Sequence, residues 1–160
     1  MQTDIEWVRI ERTFEATIET VWAMWTDPAL FAKWYGPNGM TIPTSEMDVR
    51  LGGKRKICMQ MVMPERTMTM WFVGEYKEVS APTRLVYTES MADENGNIIS
   101  PQDMGMPEGH PEVTEVIVEL KELDGKTTMK MTHIGVLGES QGAGGWQQAI
   151  EKMSALIANL

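Results

Sequence analysis

"GAGGWQQAIEKMSALIANL", residues 142–160, sets Trp146, Ala149, Ile150, Met153, Leu156, Ile157 and Leu160 on one stripe of a 3.6-residue period. The spacing predicts a long amphipathic C-terminal helix, entered through a flexible glycine run. Such a helix needs an apolar partner, and the preceding residues supply one. From Thr41 onward the apolar period is two. "TSEMDV" (44–49), "KRKICMQMVM" (54–63), "MTMWFVGEYKEV" (68–79), "RLVYTES" (84–90), "EVTEVIVELKEL" (112–123) and "KTTMKMTHI" (126–134) read as strands. Turn residues separate most of them: Gly52-Gly53, Pro64-Glu65-Arg66, Ala81-Pro82 and Asp124-Gly125.

The first forty residues complete the order. "WVRIERTF" (7–14) alternates Val8, Ile10 and Phe14 against polar neighbours, with Arg12 the exception on the apolar face. In "TIETVWAMW" (17–25) Ile18, Val21, Trp22 and Trp25 share a helical face behind an N-cap at Thr17. Asp27-Pro28 ends that helix and starts another, with Asp27 as N-cap and Pro28 at the first helical position. Leu30, Phe31 and Trp34 line its face, and Gly36-Pro37 stops it. The predicted architecture is α+β in the order β-α-α-β6-α: a curved antiparallel sheet of about seven strands around the C-terminal helix. Residues 1–160 read as one domain, without repeat or linker.

Composition narrows the functions. No apolar run approaches the ~20 residues needed to span a bilayer. The N-terminal stretch lacks the basic and apolar regions of a signal peptide. Cys58 is the only cysteine, so no internal disulfide forms, which fits a reducing cytoplasm. A net charge of −9 argues against nucleic acid. The basic cluster Lys54-Arg55-Lys56 reads as a solvated strand end. Two histidines and one cysteine offer no ligand spacing, so neither a metal nor a cofactor is expected. Cys58 reads as an inert thiol. "GESQGAGG" (138–145) is neither a nucleophile elbow nor a phosphate loop.

Six stretches carry a family resemblance: "ETVWAMWTDPALFAKWYGP" (19–37), "EMDVRLGG" (46–53), "GEYKEVSAPTRLVYT" (74–88), "DENGNIISPQDMGMPEGHPE" (93–112), "VELKELDGKTTMKMTHIG" (118–135) and "GGWQQAIEKMSALI" (144–157). Together they cover nearly the whole chain. The sequence resembles the SRPBCC (START and birch-pollen-allergen-like) superfamily, and within it the branch named for the activator of the 90-kDa heat-shock protein ATPase. The resemblance implies a helix-grip fold with an elongated, largely apolar cavity between sheet and C-terminal helix. It also implies widely divergent functions: carrying lipids or hydrophobic small molecules, cyclising polyketides, and assisting a chaperone. No stretch is a catalytic motif.

The candidate binding residues follow from strand alternation and from that cavity. Methionine is adaptable, and fifteen of them is an unusual number. Met59, Met61 and Met70, with Phe72 and Tyr87, are placed on the concave face. Val118, Met131 and His133 join them from the last strands, and Trp146 and Met153 face them from the helix. Trp34 and Tyr35 are placed at the cavity mouth. Arg12 and Arg55, in apolar-facing registers, meet a ligand carboxylate or pair with an internal glutamate such as Glu46. His133 is either a general base, the weak catalytic candidate, or a hydrogen-bonded structural residue. Asp48 and Arg50 read as an ion pair shaping the Gly-Gly corner. The irregular segment 93–111, which contains His110, is a binding loop or a mobile hairpin tip.

The function expected is binding of a hydrophobic or amphipathic small molecule without transforming it. A cyclase- or hydrolase-type enzyme and a chaperone accessory module are the alternatives. A lone domain with no second chaperone-binding module argues against the latter. The sequence leaves a homodimer open.

Overall fold

The computed structural model describes residues 7–100, 111–138 and 141–160. Its elements are β1 (Trp7–Phe14), α1 (Ile18–Thr26), α2 (Pro28–Trp34), β2 (Thr41–Met47), β3 (Lys54–Val62), β4 (Thr67–Ser80), β5 (Arg84–Ala92), β6 (Thr114–Leu123), β7 (Lys126–Leu137) and α3 (Gln141–Ala158). The strands form one curved antiparallel sheet in the order β1-β7-β6-β5-β4-β3-β2. This is the predicted α+β helix-grip architecture. β2 to β7 run as neighbours in sequence order, while β1 crosses to pair with β7, placing Arg9 opposite Thr132 and Ile10 opposite Met131.

Local chemistry explains the helical corner. The Thr17 hydroxyl accepts from the Thr20 amide and caps α1. Asp27 serves two helices: its N–H bonds Ala23 O at 2.9 Å, and its carboxylate accepts from the Ala29 and Leu30 amides. Its extended backbone is the conformation that a following proline enforces. The Asp48–Arg50 pair forms at 2.8 Å, both side chains largely exposed. Asp124 and Gly125 both have positive φ, as the tightest hairpin turns require.

The glycine run departs from expectation. It lies inside α3, which begins at Gln141, rather than serving as a flexible entry. Packing explains Gly145: a Cβ there would stand 3.0 Å from Pro37 Cγ, so glycine lets the loop after α2 approach the helix closely. The apolar stripe also ends early, since Leu160 lies past the last turn and is exposed.

The core fills the concave side. Val21, Met24 and Trp25 of α1 and Phe31 and Trp34 of α2 meet Ala149, Ile150 and Met153 of α3. Beneath them lie Leu85, Tyr87, Val116, Val118, Met129 and Met131 of the sheet.

Candidate functional site

Arg55 is the side chain on which the interior turns. Lys54 and Lys56 flank it as a solvated strand end would, but Arg55 itself is only 2% exposed. It stands opposite Gly74 on β4. The next register, bracketed by Val73 opposite Ser90 and Tyr76 opposite Tyr87, brings Glu89 of β5 beside Gly74. Gly74 has no side chain, so Arg55 and Glu89 meet over it from two strands apart, with Nη1 3.8 Å from Oε1. A Cβ at Gly74 would lie 1.8 Å from Thr88 O and 3.4 Å from Arg55 Cγ. Glu46, the expected partner, is exposed and stands opposite Lys56, on the face away from Arg55. Arg12 pairs instead with Glu151 of α3.

Aromatic rings wall this ion pair. The Arg55 guanidinium carbon is 3.8 Å from the Tyr87 ring centroid, 5.4 Å from that of Phe31 and 5.9 Å from that of Tyr76, within the range of cation–π attraction. The Tyr35 hydroxyl, at the end of α2, reaches the two Glu89 oxygens at 3.2 and 3.1 Å and the Tyr87 hydroxyl at 3.3 Å. Arg55 Nε, Nη1 and Nη2 and the Tyr76 hydroxyl are buried and have no hydrogen-bond partner among the described residues. Arg55 thus stands close to the Tyr76 hydroxyl and to Glu89 without reaching good hydrogen-bond geometry with either.

The charge state follows from burial. Burial pushes the Tyr35 phenol well above its ordinary pKa, and Glu89 adds to the effect. Burial also raises Tyr87 and Tyr76, with Arg55 pulling both the other way. For Arg55 burial works against the cation, but Tyr87, Tyr35, Tyr76 and Glu89 together raise its pKa. At neutral pH the Arg55 guanidinium is charged and the three phenols are not.

A polar chain continues from Glu89 to the helix. The Thr114 hydroxyl donates to Glu89 O at 3.0 Å and lies 2.8 Å from His133 Nε2. The Trp146 indole donates to His133 Nδ1 at 2.9 Å. With Thr114 donating to the carbonyl, His133 is assigned as the neutral tautomer protonated on Nε2. Burial lowers its pKa, Glu89 opposes that, and Arg55 adds to it. Both ring nitrogens are thus engaged in tying β7 and β6 to α3.

The remaining candidates fall into two groups. Trp34, Tyr35, Val118, Met131, Trp146 and Met153 are buried in the packed interior. Trp34 bonds Met24 O through its indole at 2.8 Å, and neither it nor Tyr35 is at the surface. Met61, Met70 and Phe72 are half-buried at the other end of the same face. Met59, opposite Met70, is the seam between the groups, and a Cβ at Gly36 would lie 3.1 Å from its Cε. Sequence reasoning missed Glu89, Tyr76, Thr114 and Gly74. The signal for Glu89 was its place in the alternation Leu85, Tyr87, Glu89, and for Gly74 a lone glycine inside a strand.

The elongated cavity expected between sheet and α3 is not seen among the described residues, where core side chains pack together; a depression of about 650 Å³ opens instead on the opposite face of the sheet, lined by Lys54, Arg55, Lys56, Val73, Glu75 and Thr88 among others. Its lysines are engaged: Lys56 with Glu94 O, and Lys54 and Lys77 with Glu75. Cys58 is buried, and burial raises its thiol. Among the described residues no three His, Cys, Asp or Glu side chains are grouped to hold a metal ion, and no helix is long and apolar enough to cross a membrane. In the irregular segment, Asp93 Oδ1 accepts from the Asn95 and Asn97 amides. Residues 101–110, including His110, lie outside the described residues.

The family model described as "Activator of Hsp90 ATPase homolog 1-like protein" matches residues 15–158. No curated protein matches the chain. Among solved structures, a Nitrosomonas europaea protein is 23% identical, with 99% of each chain covered and a TM-score of 0.74. A Chromobacterium violaceum protein is 22% identical over 95% of this chain and 97% of its own, with a TM-score of 0.76. The protein named AHSA1 from Silicibacter pomeroyi is 23% identical over 94% and 96%, with a TM-score of 0.69. At these identities the likeness is one of fold.

Proposed function

The chain belongs to the Activator of Hsp90 ATPase homolog 1-like family, and on that premise we propose that it binds an amphipathic small molecule between the curved sheet and α3 without transforming it. The observation that carries this reading is Arg55, which is buried inside an aromatic wall and makes no close hydrogen bond among the described residues. Burying a cation without hydrogen bonds is costly, and a ligand acceptor offsets that cost. The apolar body of such a ligand is matched by the half-buried end of the same face, where Met61, Met70 and Phe72 adapt to its shape. Binding is favoured over base catalysis because both nitrogens of His133 are already engaged.

Native mass spectrometry of protein purified without detergent tests the reading. The expected spectrum contains a small-molecule adduct that denaturation releases. Arg55→Lys, which keeps the charge but loses the planar fork, lowers the occupied fraction. A bare wild-type mass, together with no binding of any of a panel of apolar fluorophores, would sink the proposal.

A further inference from the structure

The interior cluster is charge-balanced before any ligand arrives, and that bears on what it accepts. Arg55 brings one positive charge, Glu89 one negative, and the surrounding phenols none. The two charges stand 3.8 Å apart without a direct hydrogen bond between them. Glu89 is held by Tyr35, whereas the Arg55 donors and the Tyr76 hydroxyl have no partner among the described residues. The cluster therefore offers donors, and no surplus charge.

We infer that the Arg55–Glu89 pair, meeting over Gly74, selects a ligand with an uncharged, acceptor-bearing head such as an amide or a hydroxy-ketone, and rejects carboxylates and amines. This rests on the interior-binding reading above and names its chemical class. A carbonyl oxygen takes guanidinium and phenol donors and leaves the Arg55–Glu89 balance intact. A carboxylate would place a second anion beside Glu89, leaving one of the two uncompensated in a buried site. An ammonium head would do the same beside Arg55. Glu89 is thus a specificity-determining residue: its charge, rather than its shape, excludes acids.

Matched pairs read this directly. Dodecanamide against dodecanoate, and naphthamide against naphthoate, are titrated into the full chain by calorimetry at neutral pH. In any pair that binds, the amide is expected to bind at least about tenfold more tightly than its acid. Glu89→Gln keeps the side-chain shape and an acceptor for Tyr35 but removes the charge, so the order should reverse in favour of the acid. A wild-type chain that binds the acid as tightly as the amide overturns the inference and leaves interior binding standing. An order unchanged in Glu89→Gln overturns it too, because Glu89's charge is then not what selects. If no member of either pair binds the wild type, interior binding fails and the inference with it. Should Glu89→Gln not fold, the wild-type comparison alone decides.

Discussion

At the scale of single residues, absent side chains matter as much as present ones. Gly74 is where Arg55 and Glu89 meet, and its Cα faces backbone that cannot give way, with Thr88 O 1.8 Å from any added Cβ. Gly74→Ala is expected to cost at least about 2 kcal/mol, read as a lower midpoint in urea unfolding. His133 makes a prediction about pH. Its folded pKa is depressed by burial, so the unfolded chain takes up the proton first. Its contribution is then complete above the unfolded value of about 6.5 and declines as pH falls through that value toward the lower folded one. Thermal melts from pH about 7.5 down to about 5.5 should show a shallower loss in His133→Gln than in the wild type. An equal slope in both would place the acid sensitivity elsewhere.

Among elements, the helical caps were legible and the start of the last helix was not. Thr17 and Asp27 are read from short-range rules, because a cap depends on residues two or three positions away. Asp27→Ala removes the acceptor for two amides, and a loss of about 1 kcal/mol is expected in chemical denaturation. α3 obeys a longer-range rule. Intrinsic propensity ends a helix at a glycine run, yet the run is helical, and what shapes it is Pro37, more than a hundred residues earlier in the chain. Two neighbouring glycines separate these effects. Nothing lies within 4 Å of a Cβ at Gly144, whereas Pro37 crowds one at Gly145. Gly144→Ala should stabilise by about 0.5–1 kcal/mol, and Gly145→Ala should gain less than that or lose stability. Identical melting temperatures for the two variants would contradict this.

For the whole molecule, the architecture followed from periods of 3.6 and two, but the site only in part. Arg55 showed itself by its register. Its partner did not, because Glu89 lies two strands away and strand order across a sheet is not written in any one strand. The nearer Glu46 was the obvious choice by sequence, and alternation turned it to the other face. Trp34 and Tyr35 were placed at a mouth because they end a helix, and α3 covers that end. The ion pair also links the site to global stability. Arg55→Met alone leaves Glu89 uncompensated and should cost about 3–5 kcal/mol, whereas Arg55→Met with Glu89→Gln should recover most of that loss. A double-mutant cycle by urea unfolding measures the coupling, and additive losses would show that the pair does not act as one unit.

The crossing of β1 to pair with β7 sets a timetable for the chain. Thr13 and Thr128, hydrogen-bonded across that pair, are separated by 115 residues. On a ribosome β1 emerges first and finds its only strand partner last. β2 to β5 can zip as successive hairpins while β1 waits, so closing the sheet carries the largest loop entropy and comes late. Nascent chains released before β7 would leave β1 wholly unpaired and β6 with a bare edge, a template for self-association during synthesis; in the finished sheet β7 covers that edge of β6 and one side of β1, which remains an edge strand.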